Sequence, residues 1–160
     1  MMYCSITTIS ASSVENGLIW AGTDDGKVWM TRDHGQSWTE FTEDIDKVGA
    51  DKNLWVSRVF ASPHKAGKAY VCKSGYRNDD FYPYVFKTTD FGQSWEMINE
   101  GVGSAPVNAI VEDPEKEGLL FLASDKGLYV SFDDGSQWMK MNNNMPVALV
   151  KDIKIQKRES

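Results

Sequence analysis

The sequence predicts an all-β fold, a partial β-propeller of about three four-stranded antiparallel blades plus the first strand of a fourth, on three observations. An octad recurs as "TRDHGQSW" (31–38), "TTDFGQSW" (88–95) and, less perfectly, "SFDDGSQW" (131–138). Around each octad lie short apolar runs rich in Val, Ile, Tyr, Phe and Trp, separated by Gly, Asp, Asn and Ser, which is the pattern of strands in hairpins. The runs return in the same order with each octad, and sequence that repeats in register suits propeller blades better than a sandwich.

Each unit opens with a partly alternating strand: "ITTISASS" from Ile6, "VSRVFASP" from Val56, "VNAIVEDP" from Val107 and "VKDIKIQK" from Val150, at spacings of 50, 51 and 43 residues. A second run follows as "LIWAG", "KAYVC" and "LLFLA", a third as "KVWMT", "YVFKT" and "LYVSF", and a brief fourth as "WTEF", "WEMI" and "WMKM". These place blades at about 6–41, 56–98 and 107–141 and an extra strand at about 150–155, within a single domain over 1–160. Helix signals are nearly absent. Two insertions explain the unequal periods: 42–55 leads from the first unit into the second, and 74–84 stands where the other units have only "TDDG" and "SDKG".

The octads read as hairpin turns. An Asp side chain accepts hydrogen bonds from backbone N–H groups ahead of it, Gly adopts positive φ, and a hydroxyl residue closes the turn. Thr31, Asp33, Gly35 and Trp38 take these places in the first copy, Thr88, Asp90, Gly92 and Trp95 in the second, and Ser131, Asp133, Gly135 and Trp138 in the third. The tryptophans start the outer strands and can pack between strands. His34 is replaced by Phe91 and Asp134 in the other copies, so a His–Asp–Ser catalytic cluster within the first octad is not expected.

At 41% apolar and 12% aromatic, the chain is expected to fold with a real core. A net charge of −6 without a Lys/Arg run argues against a nucleic-acid partner. No apolar stretch is long enough to span a membrane, and "MMYCSITTIS" lacks the features of a signal peptide, so the chain as given is expected to be neither membrane-embedded nor exported. Cys4 and Cys72 lack zinc-site spacing and are expected as free thiols. With only His34 and His64 beside them, no metal or cofactor site is expected.

"TRDHGQSW" and "TTDFGQSW" resemble the Asp-box, S/T-x-D-x-G-x-S/T-W, of bacterial neuraminidase (BNR) repeats; the third copy departs from it with Gln137 at the hydroxyl position, and its turn is expected to be held less tightly. From about Ile6 to about Ile155 the chain is similar to the later blades of BNR-repeat glycosyl hydrolases, of sortilin-type ectodomains and of xyloglucanases. The resemblance implies a propeller in which Asp-boxes are structural, and longer relatives that are often exported. A sialidase site would need an arginine cluster, but the chain has only Arg32, Arg58, Arg77 and Arg158. A xyloglucanase site would need two carboxylates across a cleft.

In an up-and-down blade the octads and the two insertions emerge on opposite faces. The insertion face carries Asp44, Asp46 and Asp51 from one loop and Arg77, Asp79, Asp80, Phe81, Tyr82 and Tyr84 from the other. Aromatics beside acids and one arginine suit a sugar or protein surface, with Asp79 and Asp80 as the weak catalytic candidates; equally, the segment could fold back onto its own blade. The expected function is therefore a non-catalytic scaffold or binding module for carbohydrate or protein, a fragment or truncated relative of a longer protein. The alternative is a glycoside hydrolase whose cleft is completed by further blades or another chain. Three blades cannot close a ring, so a homo-oligomer, most simply a dimer through the open blade ends, is expected.

Overall fold

The structure, a computed structural model, describes residues 4–50, 53–141 and 144–157. Three four-stranded antiparallel sheets follow one another, each in up-and-down order. The first holds β1 (Ile6–Ala11), β2 (Ile19–Thr23), β3 (Val28–Thr31) and β4 (Thr39–Glu40). After α1 (Thr42–Lys47) come β5 (Trp55–Ala61), β6 (Ala69–Ser74), β7 (Tyr84–Thr88) and β8 (Glu96–Met97). The third sheet is β9 (Val107–Glu112), β10 (Leu120–Ser124), β11 (Gly127–Ser131) and β12 (Met139–Lys140).

Pairing sets Ile19, Ala69 and Leu120 opposite Ala11, Ala61 and Glu112, so the blades correspond position by position. Because side chains alternate between faces, each blade turns one set of residues to its predecessor and another to its successor. Ile9, Val59 and Ile110 hold the same place on the predecessor side, yet they are 64%, 1% and 0% exposed. Among the described residues, the first blade alone has no blade packed on this side. The same explains the octad tryptophans. Trp95 packs edge-on against Trp20 of the first blade, 5.8 Å between ring centroids, and Trp138 donates its indole N–H to Ile98 O of the second at 2.7 Å. Trp38 is 42% exposed against 7% and 2% for these two. The tryptophans thus pack between blades rather than only between strands of one blade.

A polar contact also repeats from blade to blade. Thr7 Oγ1 donates to Val56 O (2.7 Å), Ser57 Oγ to Val107 O (2.8 Å), and Asn108 Nδ2 to Val150 O (2.8 Å). Val150 therefore stands where the first strand of a fourth blade would begin. The segment 150–155 is nevertheless not a strand. Among the described residues it has a single backbone–backbone bond to the third blade, Val150 N–H to Ser124 O, and no further strand to pair with. Helix is scarce, as expected: among the described residues the one α-helix is the short α1, in the first insertion. Its first turn carries Glu43 and Asp44 and its last Lys47, as the helix dipole favours, and Ile45 anchors it in the core.

The two blade interfaces differ in chemistry. Leu18, Trp20 and Met30 of the first blade share an apolar cluster with Ala61 and Trp95 of the second, and Phe91 packs against it. The corresponding residues between the second and third blades are ionic. Buried Lys68 bonds Glu112 Oε1 at 2.8 Å and Asp134 Oδ1 at 3.2 Å; the Tyr70 hydroxyl donates to Asp134 Oδ1 at 2.6 Å, and Lys87 reaches Asp134 Oδ2 at 3.3 Å. Burial disfavours the Lys68 charge, but the Glu112 hydrogen bond and charge, with Asp134, outweigh it and raise its pKa above the usual lysine range. Burial likewise opposes ionised Asp134, and the Tyr70 hydrogen bond with the two lysines overcomes it, lowering its pKa.

Candidate functional site

The octad turns are built alike. Thr31, Thr88 and Ser131 each use the hydroxyl three times, donating to the Asp carboxylate, accepting the N–H of Gly35, Gly92 or Gly135 at 2.9 Å, and accepting the N–H of Asp33, Asp90 or Asp133 at 3.3, 3.4 and 3.5 Å. Each Asp then accepts one backbone N–H, that of Ser37, Ser94 or Gln137, rather than several. Ser37 and Ser94 add a hydroxyl bond to the second carboxylate oxygen, at 2.5 and 2.6 Å, for which Gln137 has no counterpart, and the third turn is held by one bond fewer. These bonds depress all three carboxyls. Asp33 is lowered to about 2 by the Ser37 hydroxyl and amide and by Thr31; Asp90 is lowered chiefly by Ser94, and Asp133 by Ser131 and the Gln137 amide. Two successive residues turn left-handed in each octad: His34, Phe91 and Asp134 (φ 60, 59 and 58°) before the glycines (φ 87, 84 and 89°). His34 is a turn residue, exposed and with its N–H bonded to Gly17 O.

On the opposite face the two insertions meet. Lys73, at the end of β6 and fully buried, donates to Gly26 O (3.0 Å) in the first blade and to Asp46 Oδ1 (3.3 Å) in α1. Burial lowers the Lys73 pKa, while the Asp46 charge and hydrogen bond oppose that. Asp46 is thus a counterion. Asp44 pairs with Lys47 at 3.3 Å on the surface, and Asp51 lies outside the described residues. Asp25, Glu40, Glu43 and Asp46, with Lys27 and Lys47, line a recess of about 570 Å³ beside α1.

The segment 74–84 is a braced loop. A 3-10 turn at Tyr76–Asn78 ends on Asp79 in the left-handed region (φ 57°). Asp80 holds the loop: Oδ1 accepts the Tyr82 N–H at 3.0 Å and Oδ2 the Tyr84 hydroxyl at 2.6 Å. A Cβ on Gly75 would meet that of Asp80 at 2.6 Å, so glycine is required for the close approach. Tyr84, the first residue of β7, is buried; Tyr82 packs on it at 5.0 Å between ring centroids and stays half exposed. Phe81, also half exposed, borders a recess of about 330 Å³ with Ser104, Ala105, Pro106, Asp125 and Lys126. Arg77 lies 4.9 Å over the Trp55 ring.

Of the six residues singled out in this loop, Arg77, Asp79, Phe81 and Tyr82 are accessible, whereas Asp80 and Tyr84 brace the loop from within. Asp79 and Asp80 are neighbours on one loop and do not face each other across a cleft. The described arginines stay apart. Arg32 pairs with Glu15 (2.8 Å) and lies over Phe91 (3.9 Å), Arg58 pairs with Asp152 (2.7 Å), and Arg77 is on Trp55; Arg158 lies outside the described residues. Among the described residues no group of His, Cys, Asp and Glu could hold a metal ion.

Three consecutive four-stranded blades, with the long loops gathered on one face and the tight octad turns on the other, make this chain an arc of a β-propeller. Solved propellers share the arrangement. An ancestral GH74 enzyme matches 88% of this chain at 19% identity with a TM-score of 0.67, and the chain spans 19% of that protein. The GH74 xyloglucanase from Xanthomonas campestris matches 84% at 27% identity (TM-score 0.64), with 20% of its own chain covered. YCF48 from Cyanidioschyzon merolae matches 88% at 18% identity (TM-score 0.66), with 44% of its chain covered. No protein-family model and no curated protein matches the chain.

Proposed function

We propose that this arc, a relative of BNR/Asp-box propellers, is a non-catalytic binding module that engages a segment of another protein on its loop face. The observation that carries the reading is how this face uses its side chains. Asp46 and Asp80 are engaged as internal braces, whereas Phe81, at the edge of a recess, and Tyr82 stand half exposed on the same loop as the accessible Arg77. Aromatic and arginine side chains are the types that dominate protein contacts, and each anchor gives a large area for little lost freedom. YCF48, a similar fold, has been solved bound to D1 peptide. A peptide array and a glycan array probed with the full chain, with hydrolysis of aryl glycosides followed on the same sample, test this. Peptide binding that weakens with Phe81→Ala and Tyr82→Ala but not with Asp133→Ala, without turnover, is the expected result. Binding confined to glycans would overturn the ligand class, and turnover abolished by Asp79→Asn or Asp80→Asn would overturn the non-catalytic reading.

A second reading rests on the recess beside α1, which Asp25, Glu40 and Glu43 line on the same face besides Asp46, already paired with Lys73. In a longer protein whose further blades complete the cleft, they would provide acid and base groups for glycoside hydrolysis.

A further inference from the structure

Among the described residues, the outward faces of the first and third blades meet no other blade, and each is one half of a blade-to-blade interface. We propose that they meet between two copies of the chain, the first blade of each stacking on the third blade of the other to close a ring. The halves match in chemistry. Leu119, Phe121 and Val130 on the third blade stand where Leu18, Trp20 and Met30 stand on the first. Ala11, His34 and Trp38 on the first blade stand where Ala61, Phe91 and Trp95 stand on the second. The free pair therefore repeats the apolar first interface: leucine, ring and aliphatic chain on one side, alanine, ring and tryptophan on the other.

The ionic second interface marks the difference. A blade like the third, bringing Glu112 and Asp134, would find no lysine at Leu119 or Val130 and would bury carboxylates without partners. A blade like the first brings no carboxylate to these places. Phe132, more than half exposed, holds the position from which Arg32 covers Phe91, and would lie against His34 of the second copy. The second copy's β1 would take the place that Val150 now holds, accepting the Asn108 Nδ2 bond through its Ile6 carbonyl. The segment 150–155, which forms no strand, would be released.

Sedimentation of the full chain over a range of concentrations tests the proposal. The mass should rise from 18.0 kDa to twice that value. Trp38→Glu and Phe121→Glu should each abolish the rise, and mixing the two variants should restore a pair, because one of its two contacts keeps both native faces. A wild-type mass of 18.0 kDa at every concentration would overturn the proposal and assign the faces to further blades of a longer chain. Loss of association with Trp38→Glu alone, without rescue on mixing, would overturn it in favour of a contact between two first blades.

Discussion

Glu112→Ala probes the buried ionic contact between the second and third blades. Three bonds end on this carboxylate: Lys68 Nζ at 2.8 Å, the Gly118 N–H at 2.9 Å and the Ser62 hydroxyl at 2.5 Å. Removing one partner of a buried pair costs about 3–5 kcal/mol, because the other charge stays out of water. Lys68 keeps Asp134 at 3.2 Å and Glu117 at 3.6 Å, which moves the expectation to the low end, about 3 kcal/mol. The double variant Lys68→Leu/Glu112→Ala installs the residues that the first interface uses at these positions, Leu18 and Ala61. Replacing a buried pair by apolar groups is often neutral or stabilising, but the Gly118 N–H and the Ser62 hydroxyl still lose their acceptor, so the double variant should recover part of the loss and be more stable than the single variant. Urea unfolding followed by tryptophan fluorescence gives both values. A single variant that loses less than about 1 kcal/mol, or a double variant whose loss is the sum of the two singles, would show that Lys68 and Glu112 are not coupled across the interface.

The octad carboxyls predict acid lability. Because Asp33, Asp90 and Asp133 have folded pKa values below the ordinary 3.8, their contribution is present above that pH and is lost as pH falls through the depressed values, to about 2 for Asp33; thermal melts between neutral and strongly acidic pH should show it. Lys68 has the opposite sign: with its folded pKa raised above 10.5, its contribution holds below that value and is lost as pH rises through the folded one, which alkaline melts of the parent and Lys68→Leu compare. Asp90→Ala should destabilise by about 1–3 kcal/mol and His34→Ala by no more than about 0.5 kcal/mol; comparable losses in denaturant melts would contradict the turn assignment.

The repeat made the blades legible, since strands and turns are set by local residue pattern and the octads by short-range hydrogen bonds. Contacts between blades were harder to read. Trp38, Trp95 and Trp138 are the same residue in the same octad, and only the presence or absence of a preceding blade separates exposed from buried. The ionic interface did leave a signal: Lys68 replaces Leu18 and Leu119 in an apolar run, while Glu112 replaces Ala11 and Ala61 opposite it. Each substitution alone reads as a surface charge, and only the blade stacking makes them a pair. The left-handed residue before each octad glycine was hidden because His, Phe and Asp all occupy it. In the loop 74–84, the residue types pointed to the right segment, but Asp80 and Tyr84 differ from Asp79 and Tyr82 only in direction. That direction is set by the Gly75 approach and the hydrogen bonds of Asp80.

The described residues form an arc of three consecutive blades in which no blade packs before the first. Oxidative footprinting of the tryptophans, read by mass spectrometry on dilute and concentrated samples, tests it most directly. In dilute solution Trp38 should be modified readily while Trp95 and Trp138 are protected, and Trp38 should gain protection as concentration rises. Equal protection of all three in dilute solution, or equal modification, would contradict it.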